Sequence, residues 1–117
     1  MKVRDIIGLL DAELLAGSEN LDMEVCSAFG SDLMSDVMAY VKDNVLLLTG
    51  LVSPQVVRTA EMMDIKVIAF VRGKNPGRNI LELADEKGIT VISTKNTMYI
   101  SCGKLYNAGL TGRGVWE

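Results

Sequence analysis

The chain has 117 residues, of which 49% are hydrophobic and 23% charged, a balance typical of one globular domain with its own core. Because the sequence contains no histidine, Ser-His-Asp triads, Cys-His pairs and imidazole metal ligands are excluded. Twelve basic and fifteen acidic residues give a net charge of −3, which argues against nonspecific binding to nucleic acid.

The N-terminal third is predicted to hold two helices and two short strands. Residues 3–10 have the spacing of a short amphipathic helix, and residues 13–17 and 23–29 are predicted to form two strands around a polar turn. Ser31 is positioned to cap a helix over residues 32–41. The apolar face predicted for that helix comprises Leu33, Met34, Val37, Met38 and Val41.

Residues 44–94 carry the clearest pattern, three apolar runs that alternate with helical segments. The runs at 44–48, 66–71 and 89–93 lack polar alternation, which is typical of parallel strands covered on both faces. Ser53-Pro54 and Asn75-Pro76 each place a capping side chain before a proline suited to a first helical turn, and Gly88 is positioned to end the second helix. We therefore predict a single-domain, three-layer α/β fold over residues 1–117, with a central, mainly parallel sheet flanked by helices.

The C-terminal segment is predicted to hold one more helix and an irregular tail. Residues 98–108 form that helix, with Gly109 ending it. The only tryptophan, Trp116, lies in the tail. The free energy gained by burying its indole is no greater than the conformational entropy cost of ordering the seven tail residues. We expect the tail to be ordered only where Arg113 and Val115 add contacts with a second subunit.

The two cysteines predict neither a disulfide nor a metal centre. Cys26 and Cys102 lie in apolar surroundings, which favours buried, reduced thiols, and they supply at most half of a four-thiolate site. No apolar run reaches the roughly eighteen residues of a membrane span, and no signal-peptide core follows the first residues. We expect a cytoplasmic protein with no cofactor, no nucleic-acid partner and no membrane contact.

The charges are unevenly distributed along the sequence. Residues 1–36 carry two basic and eight acidic side chains, whereas residues 66–117 carry eight basic and four acidic ones. Besides simple solvation, this asymmetry suits either an acidic face of one subunit against a basic face of another or an anion pocket in the second half. Seven methionines, used as core fillers or as an adaptable surface, add to the case for a homo-oligomer, most simply a dimer.

Three strand-to-helix loops are predicted to meet beyond the carboxyl ends of the parallel strands, where ligands bind in open α/β sheets. They span residues 49–53, 72–78 and 93–97, and the second carries three cations and no anion. The candidate ligand-binding residues are Thr49, Gly50, Ser53, Arg72, Gly73, Lys74, Arg78, Ser93, Thr94, Lys95 and Thr97. Together they suit a phosphate or carboxylate, although such loops are also rich in glycine and hydroxyl residues for turn formation alone. Neither a Walker A sequence nor GxGxxG occurs, and no carboxylate pair falls in this mouth, so no catalytic residues are predicted.

Several segments resemble the DRTGG domain. They are residues 30–37, the loop around Thr49-Gly50, the strand ending at residues 71–73, and Ile92-Ser93-Thr94 with Thr97. The chain is similar to the small stand-alone members, to the module beside CBS domains in regulated pyrophosphatases and within phosphotransacetylases, and to the N-terminal domain of HPr kinase. The Asp-Arg pair of the family motif falls on Val52-Ser53 and its Thr-Gly-Gly on residues 72–74, where only Gly73 is retained. The resemblance implies an α/β accessory domain with a regulatory or oligomerising role and no catalytic residues.

Three functional hypotheses follow from these observations. The first is a noncatalytic regulatory or oligomerisation module, which the family resemblance and the missing catalytic groups favour. The second is a sensor that binds a phosphate-bearing or other anionic small molecule at the strand-end loops. The third is an enzyme in which Lys74 or Lys95 acts on a phosphoryl group.

Overall fold

The computed structural model describes residues 1–41 and 44–112. Its helices are α1 (Val3–Leu9), α2 (Met34–Tyr40), α3 (Pro54–Met62), α4 (Arg78–Glu86) and α5 (Met98–Asn107). Its strands are β1 (Glu13–Ala16), β2 (Ser27–Gly30), β3 (Val45–Thr49), β4 (Val67–Phe70) and β5 (Thr90–Ser93), and a 3-10 helix spans Ser18–Asn20.

The strands form one sheet in the order β1-β5-β4-β3-β2. The predicted parallel core is confirmed, because β3, β4 and β5 are adjacent and parallel, with Leu47 opposite Ile68 and Ile68 opposite Val91. β2 adds to this core in parallel, and β1 pairs with β5 in the antiparallel direction.

The two N-terminal strands lie at opposite edges of the sheet, so the prediction of two strands around a polar turn is wrong in its arrangement. The second of them is also shorter than predicted, since it begins at Ser27 rather than at residue 23. Val25 lies before the strand, but its side chain is buried in the core as its apolar character suggests, and its backbone N–H donates a hydrogen bond to the Met1 carbonyl. Cys26, predicted to be buried, is exposed just ahead of the strand.

Helices cover both faces of the sheet and produce the predicted three layers. One face buries α2, α3 and α4, whose side chains pack around Leu47, Ile68 and Phe70. The other face buries α1 and α5 around Leu46, Leu48, Val67 and neighbouring strand residues. Alternate residues of β3 and β4 therefore enter different cores, which explains why these strands lack an alternation of polar and apolar residues.

The helix starts were only partly predicted. Ser53 caps α3 as expected, since its hydroxyl accepts a hydrogen bond from Gln55 N–H and Pro54 occupies the first turn. Asn75 instead accepts from Gly77 N–H in a turn, and α4 begins at Arg78 with Gly77 as its N-cap. Gly88 follows α4 with φ +69°, the left-handed conformation typical of a residue after a helix end.

The predicted start and apolar face of α2 also need correction. Ser31 accepts from Leu33 N–H in a local turn, and the helix begins at Met34 with Leu33 as an N-cap that makes no side-chain bond. Leu33 and Met38, assigned to the inward face, are 58% and 41% exposed, while Met34 and Val37 are buried. Asp32 and Leu33 lie outside the helix because the Asp32 carboxylate accepts hydrogen bonds from the end of β3 and the loop that follows it.

The last helix was predicted closely, because α5 ends at Asn107 and Gly109 adopts φ +102° after it. Trp116, Arg113 and Val115, on which the tail prediction rests, lie outside the described residues. Within 1–41 and 44–112, no helix is both long and apolar enough to cross a membrane.

Candidate functional site

The three loops predicted to converge are joined by backbone hydrogen bonds at the carboxyl ends of β3, β4 and β5. Val71 N–H donates to the Thr49 carbonyl at 3.0 Å, which ties the end of β4 to the end of β3. Arg72 N–H donates to the Asn96 carbonyl, and Gly73 N–H to the Thr94 carbonyl, each at 2.8 Å. The loops therefore form one connected edge.

A cleft of about 400 Å³ opens at this edge, and we call it the strand-end cleft. Three of the candidate residues border it, namely Gly50, Arg72 and Thr97. The other lining residues, which sequence analysis did not assign to a site, are Gly30, Ser31, Asp32, Val71, Met98 and Tyr99. The cleft thus combines one cation, one carboxylate, hydroxyl groups and an aromatic ring.

Arg72 is the cation of the cleft, and its backbone is strained. Its φ is +63°, a conformation that a residue with a side chain rarely adopts. The hydrogen bonds that Arg72 N–H and Gly73 N–H donate to the other loop hold the backbone in this conformation. The guanidinium lies directly over Gly50, where an added Cβ would stand 2.5 Å from Arg72 Nη2. No ion pair or hydrogen bond engages the guanidinium within the described part of the chain. The Arg72 guanidinium is therefore a positively charged group in the cleft with no ion-pair partner among the described residues, and its planar shape suits phosphate and carboxylate.

Asp32 supplies the carboxylate and was missed because residues 32–41 were assigned to a helix. Its Oδ1 accepts hydrogen bonds from Gly50 N–H at 2.6 Å and from the Thr49 hydroxyl at 3.1 Å. These bonds fix the β2–α2 loop against the β3–α3 loop and orient the carboxylate at the cleft. Asp32 could have been recognised as a candidate, since Gly30-Ser31-Asp32 lies at the carboxyl end of a strand parallel to β3, where ligands bind in such sheets.

Two of the candidate hydroxyl groups serve the fold. Thr49 is fully buried, donates to Asp32 and accepts from Leu51 N–H. Thr94 is also buried, and its hydroxyl donates to the Leu10 carbonyl at 2.7 Å, beyond reach of the cleft. Thr97 stands at the cleft, where its hydroxyl caps α5 by accepting from Ile100 N–H.

The remaining candidate residues lie on or beside the same loops and do not line the cleft. Ser53 caps α3, and Ser93 donates to the Lys74 carbonyl at 2.9 Å. Arg78 faces Glu82 across 3.7 Å on exposed α4. The side chains of Lys74 and Lys95 are exposed, and Lys95 lies next to Gly73. Of the basic residues in these loops, Arg72 is the one that lines the cleft within the described part of the chain.

A second surface feature runs along the exposed side of α5. Tyr99, Gly103 and Tyr106 follow one another at helical spacing, and with Ile100, Cys102, Lys104 and Asn107 they border a groove of about 650 Å³, which we call the α5 groove. Tyr99 is 85% and Tyr106 64% exposed. Partial burial raises the pKa of the Cys102 thiol, so this cysteine is less ionised than a free thiol at neutral pH. Tyr99 belongs to both the groove and the strand-end cleft.

The chemistry available at the cleft favours binding. Asp32 is the acidic residue that lines it, and no group of three metal-ligating side chains occurs among the residues that the structure describes. One oxygen of the Asp32 carboxylate is already held by two donors, and no second carboxylate lines the cleft among the described residues to form an acid–base pair with it. An arginine fork beside hydroxyl groups that can donate hydrogen bonds can instead orient an anionic ligand.

Comparisons with known proteins find one matching family and a similar fold. The sequence model of the DRTGG domain family matches residues 5–106. The fold matches the crystal structure of the CBS and DRTGG domains of the regulatory region of Clostridium perfringens pyrophosphatase, complexed with its activator diadenosine tetraphosphate. The TM-score is 0.71 and the identity 17%, over 86% of this chain and 44% of that one, so this chain spans less than half of its neighbour's length. No curated protein matches the sequence.

Proposed function

The chain belongs to the DRTGG domain family, and on this basis we propose that it is a noncatalytic regulatory module that responds to a phosphate-bearing small molecule in the strand-end cleft. The observation that carries the proposal is the Arg72 guanidinium, held over Gly50 in the cleft and forming no ion pair or hydrogen bond with another side chain among the described residues. An arginine in a strained backbone conformation with no structural partner is better explained by a ligand than by stability. The family's occurrence in the regulatory region of a pyrophosphatase that binds a nucleotide activator agrees with this role.

The electrostatics favour a phosphate over a simple hydrophobic ligand. Arg72 offers a planar fork that can bind two phosphate oxygens at once, and the exposed Lys74 and Lys95 add positive charge to the neighbouring loops. Asp32 opposes an anion placed beside it, so the phosphate is expected at the Arg72 end of the cleft. Charge-assisted hydrogen bonds of this kind are each worth about 1.5–3 kcal/mol.

Arg72→Gln tests the proposal, with Arg58→Gln as its matched control. Arg58 is an exposed arginine of α3 outside the cleft, so both variants lose one positive charge from the surface. In an NMR titration with inorganic phosphate, we expect Arg72→Gln to weaken binding about tenfold or more, and Arg58→Gln to bind as the parent does. Equal loss in both variants would show nonspecific charge attraction, and unchanged binding in Arg72→Gln would remove Arg72 from the site.

Self-association through the α5 groove is a second candidate function, favoured by the exposure of two tyrosines on either side of a glycine. An added Cβ at Gly103 would meet nothing within 4 Å, so the helix surface between Tyr99 and Tyr106 is open to a side chain from another molecule. A second copy can place its own tyrosine there, since a two-fold axis brings the same helix to both sides of the contact. Aromatic residues are enriched at such interfaces.

Light scattering tests this assembly at tens of micromolar protein. We expect a mass of two chains of 12.7 kDa, and a shift toward one chain in Tyr106→Ala. The control is Met62→Ala, which removes a 68% exposed apolar side chain from α3 on the opposite face of the sheet. A parent protein that scatters as a single chain would overturn the dimer.

A further inference from the structure

We infer that the strand-end cleft is built for a nucleoside monophosphate, with its phosphate at Arg72, its ribose at Asp32 and its base on the ring of Tyr99. The inference rests on the proposed phosphate site and extends it to the rest of the ligand. All three residues line one cleft of about 400 Å³, within the range of 300–1,000 Å³ that small-molecule sites occupy.

The carboxylate of Asp32 is the reason to expect a sugar. Its Oδ1 is held by Gly50 N–H and the Thr49 hydroxyl, whereas its Oδ2 has no donor among the described residues. A cleft meant for a bare anion gains nothing from a carboxylate, because the two negative groups repel each other. A ligand that carries hydroxyl groups next to its phosphate resolves the conflict, since the hydroxyls donate to the carboxylate. Acidic side chains bind ribose hydroxyls in this way in dinucleotide-binding folds, which share the strand-end location.

Tyr99 is the reason to expect an aromatic base. It is the second residue of α5, next to the Thr97 cap, and is 85% exposed, so neither face of its ring is covered by the protein. Met98 borders the same cleft and packs its sulfur over Gly30, where an added Cβ would stand 3.0 Å from it. An exposed aromatic ring, in a cleft that a thioether also lines, offers a flat, polarisable surface on which a base can stack. In Tyr106, the helix offers a comparable tyrosine that does not line the strand-end cleft.

Calorimetric titration with a graded set of ligands separates the contributions. The set is inorganic phosphate, ribose 5-phosphate and adenosine 5′-monophosphate, and the proteins are the parent, Tyr99→Ala, Tyr99→Phe and Tyr106→Ala. We expect adenosine 5′-monophosphate to bind about tenfold more tightly than ribose 5-phosphate, the usual effect of stacking one base. Tyr99→Ala should abolish that difference, Tyr99→Phe should preserve it, and Tyr106→Ala should preserve or enlarge it, since weakening the dimer frees Tyr99 for the base. Because Tyr99 is exposed, its truncation removes no core packing.

Replacing adenosine 5′-monophosphate by its 2′,3′-dideoxy analogue tests the ribose contact without altering Asp32, whose carboxylate also supports the loops. We expect severalfold weaker binding of this analogue to the parent protein. If phosphate, ribose 5-phosphate and the nucleotide bind equally and Tyr99→Ala changes nothing, the nucleotide assignment is wrong while the phosphate site stands. If none of the ligands binds, both are wrong.

Discussion

The Arg72 guanidinium lies close over the backbone of Gly50 at the cleft, and Gly50→Ala places a single methyl group in its way. The new Cβ would lie 2.5 Å from Nη2 and 3.3 Å from Cζ of Arg72, whereas an ordinary contact begins near 3.4 Å. The guanidinium must therefore move by about 1 Å, a large displacement for a hydrogen-bond donor whose range spans only about 0.5 Å. Gly50 has no positive φ and keeps its N–H bond to Asp32, so the substitution leaves the backbone unchanged.

The expected effect is on binding rather than on stability. Misplacing a fork worth about 1.5–3 kcal/mol per bond should weaken phosphate binding roughly tenfold, which corresponds to about 1.4 kcal/mol. The free energy of unfolding should change by no more than about 0.5 kcal/mol, because the displaced atoms are the exposed end of a flexible side chain. Phosphate titration and urea unfolding measure the two quantities separately.

Gly8→Ala is the control for this experiment. Gly8 lies within α1, and an added Cβ there meets nothing within 4 Å, so alanine should raise stability by about 0.5–1 kcal/mol and leave phosphate binding unchanged. Wild-type affinity in Gly50→Ala, together with lost affinity in Arg72→Gln, would refute the guanidinium position over Gly50. A large loss of stability in Gly50→Ala would refute the argument that the side chain yields.

Three further predictions concern strain, an unsatisfied hydroxyl and the two thiols. In urea unfolding, Arg72→Gly should have a free energy of unfolding about 1 kcal/mol higher than Arg72→Gln, because glycine tolerates φ +63°. Both variants should lose phosphate binding, and equal stability of the two would contradict the backbone strain. Thr59→Val should stabilise the protein by about 1 kcal/mol in urea unfolding, since the buried Thr59 hydroxyl has no hydrogen-bond partner among the described residues, and a loss would reveal a partner. Cys26, which is exposed, should react with iodoacetamide at pH 8 faster than Cys102, whose raised pKa leaves less thiolate at that pH; mass spectrometry of each peptide decides, and equal rates would contradict it.

The sequence specified the parallel core because the relevant information is local. Val67 to Phe70 and Val45 to Thr49 are buried at every position, so unbroken apolar runs identified both strands. The cap formed by Ser53 could also be predicted, because its hydroxyl accepts a hydrogen bond from an amide only two residues away. Local signals were not always sufficient, because Ser31 and Asn75 have the same capping chemistry but form turns ahead of their helices.

The features that sequence reasoning missed depend on contacts between distant residues. Asp32 leaves the helix pattern because its carboxylate binds the backbone of Gly50, eighteen positions away. Thr94 was assigned to the site, although its hydroxyl bonds to Leu10, eighty-four positions away. Arg72 was selected for its charge, but its left-handed backbone depends on the Asn96 carbonyl of another loop. Without the sheet order, neither the partners nor the lining of the cleft follow from the residue types.

Tyr99 connects the two proposed activities, because it borders both the strand-end cleft and the α5 groove. A ring that stacks on a base is not available to a second copy, so the nucleotide and the partner compete for it. Linkage then requires that the ligand weaken the dimer by the same factor by which dimerisation weakens ligand binding. Sedimentation velocity with and without adenosine 5′-monophosphate should show a higher dimer dissociation constant in the parent protein when the ligand is present. Inorganic phosphate, which lacks a base, should leave that constant unchanged, and an equal effect of both ligands would show that the coupling does not pass through Tyr99.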